Sequence, residues 1–335
     1  MPRRPAPATA ETLMGSPFRD FFRRIRHRRW GRVVQRIDAL GTGLDTLRKQ
    51  VATAVELVGG IECRRVAGLP DRSALKEAEF RVHSQFGDDG VIQYLFSRIP
   101  AARTFIEFGV EDYTEANTRF LLVHDDWRGL ILDGRPDLDA VVSAQGLPML
   151  HDLEIRSAFI TAENINGLIS SAGFSGEIGL LSIDIDGNDY WVWQAITCVD
   201  PQVVVVEYNA VFGPDRAVTI PYDPAFTRQA AHHSWLYFGA SLRALCRLAE
   251  AKGYAFVGCT SAGNNAYFVR KDLAGPFQIL APEAGFVDSR FRESRDERGR
   301  MSRLSGVARR DAIAHLPVVD LASGTTAPLR DGDTQ

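Results

Sequence analysis

The chain has 335 residues, 45% hydrophobic and 24% charged, with a formal net charge of −3. That length suits one large domain with appendages, or two domains, and supports a sizeable core. Four scattered cysteines (Cys63, Cys198, Cys246, Cys259) lack metal-type spacing and read as reduced thiols, not a disulfide framework. No apolar run approaches the roughly 18 residues of a membrane span. The N-terminus lacks the apolar core of a secretion signal, so the expected location is cytoplasmic.

The charge is uneven. Residues 1–36 hold ten arginines against Glu11 and Asp20, a local +8, so the remainder carries −11 (−3 − 8). The basic arm is expected to take up residues 1–32. Its first 17 residues are Pro/Ala-rich and read as disordered. In "FRDFFRRIRHRRWGR", Phe18, Phe21, Phe22 and Ile25 fall on one helical face amid arginines. Residues 18–30 then read either as a solvated helix or as one lying on an anionic membrane surface, which would make the protein peripheral at the inner face. Nucleic acid is the weakest of the readings for this arm.

Over 33–58, Val33, Ile37, Leu40, Leu44, Leu47, Val51, Ala54 and Val58 step by alternating 4 and 3. A sustained 3.5-residue period predicts a coiled coil and homo-oligomerisation, or one amphipathic helix on the body. Gly41 and Gly43 inside it each cost roughly 1 kcal/mol against Ala. Residues 58–74 read as a linker.

From 75 to 275 strands and helices alternate. Strands are predicted at 104–110, 129–133, 148–155, 179–186 and 201–209. Helices are predicted at 90–99, 115–125, 136–146, 162–173, after 187, and at 240–253, beyond a long irregular segment (210–238). Alternation implies a parallel sheet covered on both faces. Two last strands, 254–260 and 265–270, flank a four-residue Gly-containing turn and make an antiparallel hairpin. The expected fold is α/β, a Rossmann-like class I methyltransferase sheet with that C-terminal hairpin and an N-terminal helical arm. Residues 283–335 are charged and breaker-rich, and are expected to be mostly irregular.

Ligands of such sheets sit beyond the carboxyl ends of the strands. The first strand ends "IEFGVEDYT": Gly109 permits close backbone approach, and Glu107 can accept from a ligand amino group or a loop amide. The second ends at Asp133, 24 residues after Gly109, a spacing that suits a ribose diol, with a helix cap as the plain alternative. The fourth ends in Asp184 and Asp186. Alternation places both on one face, where they surface into the crevice and escape the cost of burial. Gly187 makes the turn, and Asn188 or Asp189 caps the next helix. The fifth ends in Glu207, Tyr208 and Asn209. Asp184, Asp186, Glu207 and Asn209 together form an oxygen-rich cluster that would suit Mg²⁺. A polyol substrate or a general base is preferred for it, and no metal is expected; if one binds, Asp184, Asp186 and Glu207 hold it. His232 and His233, in the long segment, read as a surface pair or as a base on a lid. Ser261, Gly263 and Asn264 belong to the hairpin turn.

These stretches, with "SQFGDDGVIQYLF", "FIEFGVEDYTEANTRFLL", "GLILDG", "LLSIDIDGNDYWVW" and "VVVEYN", resemble the FkbM-like branch of the S-adenosylmethionine-dependent methyltransferases over residues 80–272. The resemblance implies S-adenosylmethionine as cofactor, with Gln85 among its contacts, Glu107 and Gly109 on its methionine side, Asp133 at the ribose and Asp184 near the methyl group. One departure is that "EFGVEDYTE" has a single glycine where the family's loop has two or three. The implied activity is methylation of a hydroxyl on a sugar or other polyol-like small molecule. Asp186, Glu207 and His232 are the candidate bases; Asp186, Asn188, Glu207, Asn209 and Asn264 are the candidates to touch the acceptor. The alternatives are a cofactor-binding oligomeric scaffold without turnover, or a metal-dependent enzyme using the Asp/Glu cluster.

Overall fold

In the computed structural model of the chain, residues 16–332 are described. The expectation for residues 1–15, and the apolar face expected over 18–29, lie outside the described backbone and side chains. The chain divides into two units, Met1–Leu57 and Val58–Gln335. Helix α1 (Ser16–Ala67) has 52 residues. It continues well beyond Val58, so the expected linker at 58–74 is helical over its first ten positions. Gly59 is the reason that segment misleads. A Cβ there would press on the Phe120 ring and Val82, so the glycine serves close packing and not chain breaking. In the first unit Ile37, Leu40, Leu44, Leu47 and Val51 are all exposed. No described helix is long and apolar enough to cross a membrane.

The second unit is built on a seven-stranded sheet. Its strands are β1 (Thr104–Phe108), β2 (Arg128–Asp133), β3 (Leu153–Ser157), β4 (Gly176–Ile183), β5 (Val199–Glu207), β7 (Tyr254–Cys259) and β8 (Asn265–Arg270); a short β6 (Val218–Thr219) lies elsewhere. The order is β3-β2-β1-β4-β5-β8-β7. Strands β1 to β5 are parallel, and β8 is antiparallel to both β5 and β7. This is the Rossmann-like class I methyltransferase arrangement, with the hairpin inserted beside β5. Period-two alternation splits each central strand between two cores. Val204 and Val206 of β5 pack on the side of the helices Asp189–Ala195 and Leu242–Ala251. Val203 and Val205 pack on the side of the helix Asp88–Phe96.

One expectation fails here. Residues 148–155 are not one strand: Leu147–Leu150 is helical, with Pro148 in the helix's first turn, and β3 begins at Leu153. The C-terminal residues are irregular over more than half of their described length, yet they carry two strands. β9 (Pro317–Asp320) and β10 (Thr325–Pro328) form a hairpin that extends β6, in the order β10-β9-β6. A third core joins Val211, Phe212, Ile220 and Leu236 of the long segment to Ile313, Val318 and Leu329. The two stretches read as a loop and a tail therefore fold together over the sheet's carboxyl edge.

Gly109 holds that edge in shape. It takes φ +75°, and a Cβ on it would overlap the carbonyl oxygen of Asp184. Gly109→Ala is expected to cost about 3 kcal/mol, combining overpacking with a left-handed backbone. Gly146 shares the conformation (φ +79°) but has open space around it, and Gly146→Ala should cost only about 1 kcal/mol. Urea denaturation of both variants checks this; equal losses would show that the Asp184 contact is unimportant.

Candidate functional site

The carboxyl ends of β1, β2, β4 and β5 open into a cavity of about 460 Å³. Its wall includes Gln85, Glu107, Gly109, Asp133, Asp184 and Glu207, so the strand-end residues singled out by sequence do converge. Asp186, Asn188, Asn209 and Asn264 also line it.

Their hydrogen bonds separate wall-building groups from those left facing the cavity. Glu107 accepts from the amides of Asn117 (2.8 Å) and Thr118 (3.0 Å) and from the Thr118 hydroxyl (2.5 Å). It is therefore the loop-amide acceptor, and burial pushes its carboxyl up to about 7. Asp133 accepts from the Glu111 amide through Oδ2 and from the Arg135 amide through Oδ1, both at 2.8 Å. Each oxygen keeps a lone pair for a ligand hydroxyl. Asn209 lies past the end of β5 and does not share a strand face with Glu207. Its amide nitrogen donates to the carbonyls of Leu236 and Phe238, and its oxygen accepts from the Val211 amide, so it ties down the long segment. Asn264 Oδ1 accepts from the Thr260 hydroxyl at 2.8 Å. These two polar groups hold the cavity's frame.

Asp184, Asp186 and Glu207 form the site's electrostatic centre. One oxygen of each lies within 4.8 Å of the other two. β4 stops at Ile183, and Asp186 has φ +54°, so it reaches the cluster through a left-handed turn and not by strand alternation. Asp189 stabilises this turn by accepting from the Ile185 and Gly187 amides (2.8 and 2.9 Å). Asn188 is the N-cap by position but makes no side-chain cap bond; its amide nitrogen donates to the Asp223 carbonyl instead. The escape from burial is partial: the Asp186 side chain is 46% exposed, and Asp184 and Glu207 are half-buried. Burial, then the charges of Asp186 and Asp189, hold the Asp184 carboxyl well above the usual range. Burial, then the charges of Asp184 and Asp186, do the same to Glu207.

Two cations missed by sequence reasoning line the cavity. Arg228 bonds Asp186 Oδ1 at 2.6 Å, and Arg309 lines the cavity from the C-terminal residues. Neither belongs to a motif; only the tertiary fold carries them here. His232 is absent from the cavity wall. Its ring lies against His233 (4.1 Å between centroids) and His315 (5.5 Å) and bonds the Ser234 hydroxyl. The candidate base His232 is therefore withdrawn. Burial lowers its pKa, with the neighbouring histidines adding to the effect.

No protein-family model and no curated protein sequence matches this chain. Solved structures with a likeness include the CurJ carbon methyltransferase (TM-score 0.35, 11% identity, over 54% of this chain and 52% of that one). An O-methyltransferase family protein from Burkholderia thailandensis has a TM-score of 0.33 and 15% identity, over 73% and 60%. The mitomycin 7-O-methyltransferase MmcR has a TM-score of 0.32 and 17% identity, over 50% and 48%. The chain spans about half the length of these structures, up to 60% of the second. The fold assignment rests on the strand order described above.

Raised carboxyls make stability depend on pH. Between the ordinary carboxylate range and the raised folded values, the folded state binds more protons than the unfolded one, so stability falls as pH rises. For Glu107 that window runs from about 4.5 to about 7 and is of the order of 3 kcal/mol; Glu207 and Asp184 extend the fall upward. Glu207→Gln should flatten the decline in melting temperature above pH 5. Parallel profiles for variant and wild type would show that Glu207 is not desolvated.

Proposed function

We propose that the protein is an S-adenosylmethionine-dependent O-methyltransferase whose acceptor hydroxyl belongs to a sugar or other polyol-like small molecule. One observation carries this reading: the cavity straddles β1 and β4, where the strand order reverses, with Asp133 at the end of β2 on one side and a carboxylate pair on the other. The wall carries the carboxylates Asp133, Asp184, Asp186 and Glu207, acceptors that suit a ligand rich in donors. Asn188 Oδ1, Glu207 Oε2 and Asn265 Oδ1 are buried acceptors without a partner, and all three residues line the cavity.

Bound S-adenosylmethionine would supply an already activated methyl group. The protein's part is then to position and to take up a proton. Asp133 would hold the ribose hydroxyls. Glu207 and Asp184, with raised proton affinity, would orient the acceptor hydroxyl and receive its proton as the oxygen attacks the methyl carbon and the carbon–sulfur bond breaks. Arg228 holds Asp186 away from that exchange.

A divalent cation on Asp184, Asp186 and Glu207 is a second reading, favoured by their convergence. An all-oxygen donor set fits a hard ion, which would relieve the repulsion that raises these carboxyls.

Thermal-shift titration tests both readings. S-adenosylmethionine and S-adenosylhomocysteine are expected to stabilise the protein, and Asp133→Ala to weaken both at least tenfold. No stabilisation by either at millimolar ligand would sink the methyltransferase reading. Stabilisation by MgCl₂ that Glu207→Gln removes would favour the cation.

We also propose that α1 pairs with α1 of a second copy. The exposed seam keeps a 3.5-residue period, which only a partner supercoiling at the same period can cover along its length. A second copy offers that period, and the order Ile37, Leu40, Leu44, Leu47, Val51 puts Leu at the d positions, with β-branched residues at two of the three a positions. Light scattering should report a dimer that Leu44→Glu with Leu47→Glu dissociates. A monomeric wild type at tens of micromolar would end the proposal.

A further inference from the structure

The cavity holds one cation that is answered and one that is not. Arg228 has its carboxylate, Asp186, at 2.6 Å. Arg309, on the helix Val307–Ile313, is 8% exposed and lines the same cavity. Its NH1 and NH2 donate to the Ser289 carbonyl and hydroxyl at 3.3 and 3.4 Å, both long. Its Nε is buried without a partner. Among the described residues it has no ion pair within 4.0 Å. The acid whose charge reaches it is Asp288, an exposed residue, while Arg228 repels it. Burial and that repulsion lower its proton affinity. A desolvated guanidinium with weak partners and no counter-charge destabilises the empty protein. The fold nevertheless brings it to the cavity wall through the C-terminal segment, with donors left over in a planar fork suited to an oxyanion.

We propose that Arg309, with Ser289, is an anion anchor that seats a carboxylate, phosphate or sulfate group of a ligand in the cavity. The assignment to an acceptor rests on the methyltransferase reading. Arg228, whose charge acts on Arg309, binds Asp186 beyond β4, which places the anchor on the carboxylate-cluster side of the cavity. The acceptor is then an acidic hydroxyl compound, held by its anion at Arg309 with its hydroxyl toward Glu207 and Asp184. The other source of the same chemistry is the amino-acid carboxylate of the cofactor.

The test uses the full chain, with Arg309→Met, Arg309→Gln and, as a control, Arg290→Met at an exposed arginine beside Ser289. Melting temperature is followed against sodium phosphate, with sodium chloride at matched ionic strength, in the presence of saturating S-adenosylhomocysteine. Saturable stabilisation by phosphate is expected for wild type and Arg290→Met, with at least tenfold weaker affinity in both Arg309 variants. Without ligand, Arg309→Met should melt at the same temperature or higher, because it removes an unanswered buried charge; a purely structural arginine would give a drop. The cofactor source is read separately. If phosphate does not bind beside S-adenosylhomocysteine, and Arg309→Met weakens that ligand tenfold but leaves 5′-methylthioadenosine unchanged, the anchored anion is the cofactor's carboxylate. Unchanged affinities for phosphate and S-adenosylhomocysteine in both Arg309 variants would overturn the proposal. If wild type binds phosphate through Arg309 but neither cofactor form, the methyltransferase reading fails and the anion anchor stands.

Discussion

The register between β4 and β5 sets the problem that the rest of the site answers. Ile183 pairs with Val206, so Asp184, the first residue past β4, lies beside Glu207, the last residue of β5. Two carboxylates so placed cannot both be charged in a desolvated wall without a cation, a shared proton or a ligand. The protein's own answer is partial. Arg228 reaches in from the segment between β5 and β7 but takes Asp186 as its partner. The pair on the sheet therefore keeps its raised proton affinity, a property a general base needs and an ordinary surface carboxylate lacks.

The surrounding geometry protects this arrangement at the cost of strain. Gly109 lets the end of β1 pass against the Asp184 carbonyl, which fixes where Asp184 points. Beyond it Glu111 and Tyr113 take φ +50° and +61°, and Asp186 takes +54°. Left-handed conformations at non-glycine residues are rare, and three of them on the loops after β1 and β4 mark the crevice as a place where shape outranks stability. The single glycine of the first loop follows from the same contact. It is demanded by Asp184, so its presence says nothing by itself about a cofactor.

What sequence showed, and what it hid, divides along physical lines. Strand ends are legible because long β-branched runs such as "VVVV" announce the strand, and the polar residues that close it stand out. Asp133, Asp184, Asp186 and Glu207 were found in that way. The three-stranded sheet was hidden because β6 has two residues and β9 and β10 four each, too short to show any period. The reach of α1 was hidden because Gly59 and Gly60 look like breakers until Phe120 and Val82 are seen against them. His232 drew attention as a titratable residue in a long loop, yet Arg228, four positions earlier, is the one that enters the cavity. Nothing local distinguishes the two; only the third core decides which side of the loop faces the sheet.

That third core also accounts for the asymmetry of the cavity. Its floor is made by strand ends and is acidic, as parallel strands ending in Asp and Glu must make it. Its roof comes from the segment after β5 and from the C-terminal residues, and it contributes Arg228 and Arg309. A ligand that fills the space therefore meets acceptors below and guanidinium donors above. The proposed acceptor, with hydroxyls at one end and negative charge at the other, matches this arrangement. The roof's cations arrive on a separately packed core, so on the anion-anchor proposal substitutions there change anion binding and leave the sheet, and the carboxylate pair it presents, intact.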